Sequence, residues 1–135
     1  MNPITVHRAG TVLTAAVLGL LAWAGLRAGG ADLEANAHTV GAVDVIVTAM
    51  VAGAGAWVTS RILARVARPR TTWMLLSTTL LSASMLGPIY SAPALTAVAL
   101  MGLHLVVGAV LIGGFASTLA FRRPAPDAQR HGIPV

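Results

Sequence analysis

Two ionisable side chains stand inside long apolar runs: Asp44 in "HTVGAVDVIVTAMVAG" and His104 in "ALMGLHLVVGAVLIGG". A carboxylate and an imidazole can serve as general acid and base, or as polar contacts for a bound molecule. A charged Asp at mid-bilayer costs about 2.5–3.5 kcal/mol, and such residues face the bundle interior or a polar cavity. Asp44 falls about one helical turn below the outer boundary of its run, where the cost is lower. Arg27 ends the preceding run at the same boundary, so an Arg27–Asp44 ion pair is expected. His104 lies about ten residues into its run, roughly 15 Å down at helical rise. The depth gap between Asp44 and His104 is about four residues, or roughly 6 Å. Direct contact therefore needs tilt or a bridging water. The plainer alternatives are an ion pair that fixes helix register and a neutral His bonded to a Ser, Thr or backbone carbonyl.

Helical spacing extends both residues into faces. Asp44, Thr48, Gly55 and Thr59 share one stripe. His104 lines up with Met101, Gly108 and Phe115, while Ser77, Ser84 and Pro88 share a face of the intervening run. Gly87-Pro88 in "SMLGPIY" interrupts that run and frees a carbonyl around Ser84. Arg27, Asp44, Pro88 and Tyr90 map to the outer half, with His104 beneath them. The candidate ligand-binding residues are therefore Arg27, Asp44, Thr48, Pro88, Tyr90, Met101 and His104. Asp44 and His104 are also the catalytic candidates.

The elements that position these residues follow from composition. The chain has 135 residues, is 56% hydrophobic and 10% charged, and its mean hydropathy is +0.80. An ordinary soluble domain is about 25% charged. The first apolar run is long enough for a hydrocarbon core of roughly 30 Å and longer than the roughly 7–15 residues of a signal-peptide core. A retained helix is therefore expected, despite the small-x-small pattern Ala22-Trp23-Ala24. The 51 residues between Arg70 and Arg122 carry no charge. That stretch is too long for one span, and Pro93 divides it. The reading is all-α: a polytopic membrane protein, an antiparallel up-down bundle of four transmembrane helices. The spans are about 9–27, 39–62, 73–92 and 94–121, forming a 1–121 transmembrane domain. A polar, Pro-rich tail, 122–135, follows.

All nine basic residues are Arg. Arg8, Arg61, Arg65, Arg68, Arg70, Arg122, Arg123 and Arg130 fall on one side of this topology, and only Arg27 on the other. That asymmetry predicts an inner-membrane protein with both termini cytoplasmic, and it argues against a nucleic-acid partner. Trp23 and Tyr90 would mark the outer interface, and Trp57, Trp73 and Phe121 the inner one. Small residues form stripes on span two (Ala42, Ala49, Gly53, Ala56, Ser60) and span four (Gly102, Ala109, Gly113, Ala116). Such stripes suit close helix packing within the chain or a homo-oligomer face.

Several chemistries are disfavoured. There is no Cys, which removes disulfides, thiolates and Fe–S ligation. His7, His38 and His131 sit at run ends, so a bis-histidine haem lacks a second deep ligand. No metal set, phosphate-binding Gly loop or other cofactor signature is present. Span one lacks the carboxylate that small four-span drug exporters carry there.

At "RTTWMLLSTTLLSASMLGPIY" and "ALMGLHLVVGAVLIGG" the chain resembles small four-span, mostly actinobacterial membrane proteins catalogued only as a domain of unknown function. The matching features are Met101, His104 and Val106 to Ile112 in the fourth helix, and the Gly87-Pro88 break in the third. The resemblance covers about residues 10–121. It implies four spans and carries no activity. The leading expectation is an outward-facing intramembrane pocket for a lipophilic small molecule or lipid. Arg27 and Asp44 would orient its head and His104 would close the floor. The rivals are an acid–base enzyme on an apolar substrate, a proton-coupled exporter and a structural accessory subunit.

Overall fold

The computed structural model describes residues 2–120. Phe121 and the 122–135 tail, including Arg122, Arg123, Arg130 and His131, lie outside the described residues. Helix α1 (Pro3–Ala28) begins six residues before the expected start. Asn2 caps it, its side chain accepting from the Ile4 N–H at 3.0 Å, and Pro3 follows where a missing N–H costs nothing. Arg8 therefore lies inside the helix, near the same end of the bundle as Arg61. It is buried within the bundle, donates from Nε to Thr118 Oγ1 at 3.4 Å, and lies over the Phe115 ring at 5.8 Å.

The α1–α2 connection contains a small hairpin, β1 (Glu34–Ala35) and β2 (His38–Thr39), pairing antiparallel. Its turn residues Asn36 and Ala37 have φ of 52° and 59°, the left-handed pair that a two-residue hairpin turn demands. His38 and Thr39, expected near or within the second span, belong to this hairpin. Helix α2 (Ala42–Leu63) follows Gly41. Helix α3 (Pro69–Ser84) and short α4 (Leu86–Ser91) are separated only by Met85 and together form one span. This break is the interruption expected from Gly87-Pro88, because the proline ring displaces a carbonyl one turn earlier. Helix α5 (Ala94–Ala120) completes the described residues.

α5 packs against α1, α2, α3 and α4. α1 also lies along α2, whereas α2 and α3 touch little. The core joins Val12 and Ala15 of α1, Trp73 of α3, and Leu111, Phe115, Ala116 and Leu119 of α5. Trp73 is not an interfacial belt residue. It is 3% exposed, donates from Nε1 to Ile112 O at 3.1 Å, and packs on Phe115 with ring centroids 5.6 Å apart. Close approach depends on particular glycines. A Cβ on Gly53 would lie 2.5 Å from Val12, one on Gly108 2.6 Å from Leu81, and one on Gly19 2.8 Å from Val107. Gly114 is pressed likewise against Thr11. The α2 stripe thus packs within the chain through Ala49 and Gly53. Of the α5 stripe only Ala116 is buried, while Gly102 and Gly113 have open space where a side chain would stand.

The exterior is apolar. Leu13, Leu21, Val43, Val51, Val58, Leu75 and Leu95 are mostly exposed, while Thr11, Ser60, Thr96 and Thr118 are buried. Among the described residues, no buried side-chain nitrogen or oxygen lacks a hydrogen-bond partner. Apolar surface of this extent needs lipid around it, and the interior polar groups are satisfied as the hydrocarbon environment requires. Four helices are long and apolar enough to cross a membrane.

Candidate functional site

Because α2 and α3 diverge over α5, a cleft opens between them with a volume of about 730 Å³. The α2 wall is unusually bare. Beyond Val45 it consists of Thr48, Ala49, Ala52, Gly55, Ala56 and Thr59, none larger than Thr. The opposite wall carries Ser77, Leu80, Leu81 and Ser84 of α3, then Pro88 and Ser91 of α4. His104, Val107 and Gly108 of α5 form the floor. From Asp44 to Thr59 the α2 wall rises over roughly 22 Å, most of a hydrocarbon thickness. The α2 stripe Asp44, Thr48, Gly55 and Thr59 lines the cleft in full, as does the Ser77, Ser84, Pro88 face.

Asp44 stands at one end of the cleft, in the first turn of α2. Its Oδ2 accepts the Gly41 N–H at 2.8 Å, capping the helix, and lies 3.2 Å from His38 Nε2. Its Oδ1 accepts no hydrogen bond among the described residues. His104 sits deeper. Its Nδ1 lies 2.8 Å from Leu100 O, so this nitrogen donates to the carbonyl one turn back, and Nε2 is left without a hydrogen bond among the described residues. Asp44 and His104 therefore share one cavity but are not joined by a hydrogen bond.

Three expectations are corrected. Arg27 does not pair with Asp44: it lies 3.8 Å from Asp32, both side chains well exposed, and does not line the cleft. Asp44 is instead held by its own helix cap and by His38. Tyr90 is 85% exposed and points away. It follows Pro88 by two residues, about 200° around a helix. Met101 is also outside the cleft, because α5 has neighbours on most sides and the roughly 60° between Met101 and His104 is enough to leave it.

Sequence reasoning missed the hairpin's part in the site. Ala35 and Val40 line the cleft mouth, and Asn36 N–H donates to Ser91 O at 2.9 Å, joining the connection to the end of α4. Leu33 is fully buried beneath it, and Thr96 donates to Asp32 O at 2.7 Å. The available signals were Asn36, a residue tolerant of left-handed backbone, and Asp44 three positions after Gly41.

A bundle of four membrane-crossing helices around an apolar cleft defines a small polytopic membrane protein. The chain belongs to a family of unknown function, DUF6069, whose model matches residues 1–120. No curated protein and no solved structure matches it.

Proposed function

We propose that this protein lies in the inner membrane with both termini cytoplasmic, and that it holds an amphiphilic small molecule or lipid in the α2–α3 cleft. The apolar chain would lie along the Thr48–Thr59 wall and the polar head would sit at the Asp44 end. The Arg asymmetry supports the orientation. The bare α2 wall carries the binding reading. A gap of about 730 Å³ is within the size of small-molecule sites, roughly 300–1,000 Å³. Its lining is mostly apolar with a few polar groups, as such sites are.

The test uses Trp73, which lines the inner part of the cleft. A W23F/W57F variant keeps it as the sole tryptophan. In phosphatidylcholine bilayers, octadecanol brominated at its terminal carbon should quench Trp73 saturably. Gly55→Phe should abolish saturation by filling the cleft, because a side chain at Gly55 meets open space and leaves the helix seams intact. Quenching that never saturates, or that Gly55→Phe leaves unchanged, overturns the reading.

A further inference from the structure

The corrected charge pattern narrows what the cleft accepts. With Arg27 paired to Asp32 outside it, Asp44 is the one formally charged residue among the described residues lining the cavity. Its Oδ2 already faces two donors, the Gly41 N–H and His38, while Oδ1 accepts nothing among the described residues. Asp44 is also not alone in sign. Glu34 belongs to the hairpin whose Ala35 lines the mouth, whereas Asp32 is paired with Arg27. Carboxylates clustered at a low-dielectric opening attract cations and repel anions. Below the mouth, the side-chain polar groups lining the walls are hydroxyls and the Trp73 indole N–H, which is already bonded to Ile112 O, and the floor adds His104.

We infer that the cleft selects amphiphiles whose head is cationic and donates hydrogen bonds, such as a primary amine on a long apolar chain, and discriminates against anionic heads. Asp44 Oδ1 is the acceptor that reads the head, and the bare α2 wall takes the tail irrespective of charge. This rests on the cleft-binding reading above. It adds that binding is graded by head charge, through one named oxygen.

The same single-tryptophan protein in phosphatidylcholine bilayers tests it with three probes sharing one terminally brominated tail: octadecylamine, octadecanol and octadecyl sulfate. Affinities are referred to each probe's mole fraction in the bilayer, so that partitioning does not enter. A hydrogen bond to a charged group predicts that the amine binds about ten-fold more tightly than the alcohol, with the sulfate weakest. Asp44→Asn, which keeps a side-chain acceptor for the Gly41 cap, should bring the amine-to-alcohol ratio to about one. Saturable binding with equal affinities, or with the sulfate tightest, overturns the head selectivity and leaves the cleft reading standing. An amine preference that survives Asp44→Asn removes Asp44 as its source. Absence of saturable binding by all three overturns the cleft reading itself.

Discussion

Gly53 and Val12 meet across the α1–α2 seam so closely that a methyl group on Gly53 would stand 2.5 Å from Val12 Cγ1. Two residues on, Gly55 faces the cleft and has nothing within 4 Å of the same position. Val12 is β-branched and buried in the core, so it cannot rotate away cheaply. Gly53→Ala should therefore cost about 1–3 kcal/mol as α1 and α2 are forced apart. Gly55→Ala should be neutral or slightly stabilising through helix propensity. Unfolding midpoints in a denaturing-detergent titration check the contrast, and equal effects of the two substitutions would contradict the packing described.

Ala37 holds a left-handed backbone at φ 59° without the freedom of glycine. For an L-residue that geometry costs roughly 1–2 kcal/mol. Ala37→Gly should raise stability by about 0.5–1 kcal/mol, the remainder being lost to glycine's larger unfolded-state entropy. Ala37→Val should lower it. The same titration measures both, and a Val variant as stable as the parent would mean that the turn is not held in this form.

Trp73 joins α3 to α5 in two ways, through its bond to Ile112 O and through its contact with Phe115. Trp73→Phe removes the donor and part of the ring, and should cost about 1–3 kcal/mol. Trp57→Phe removes a half-buried ring at the edge of the same cluster and should cost less. If the two variants unfold together, Trp73 is not the anchor of this seam.

The four spans were legible from apolar length, Arg placement and the break at Pro93, which are strong signals in lipid. Their ends were less so. Arg8 was expected to stand at a boundary, but a guanidinium can be accommodated inside a bundle when an aromatic face and a hydroxyl receive it, as Phe115 and Thr118 do. The Asn2 cap and Pro3 at the first turn start the helix ahead of that arginine. The hairpin was hidden because Asn36-Ala37 lacks the glycine that advertises such turns. On the cleft walls, helical periodicity grouped Asp44 with Thr48, Gly55 and Thr59, and Ser77 with Ser84 and Pro88, and each group lines the cleft. Pairing across helices was harder. Arg27 and Asp44 share a boundary, but a carboxylate three residues past an N-cap has a nearer partner in its own backbone. Spacing along one helix is set by geometry common to all helices, whereas the choice of partner depends on side-chain reach and local competition.

The Asn36–Ser91 backbone bond has a mechanical consequence. At one end of the bundle, residues 64–68 connect α2 directly to α3. At the other end, the hairpin fastens the start of α2 to the end of α4. The two walls are thus tied at top and bottom like the long sides of a picture frame, and they cannot swing apart as hinged jaws would. The slot can widen only by bowing at mid-length, and the interruption at Met85 gives one side a joint at which to bow. For the proposed occupant, such a frame favours exchange sideways with the surrounding hydrocarbon over exchange endwise with water.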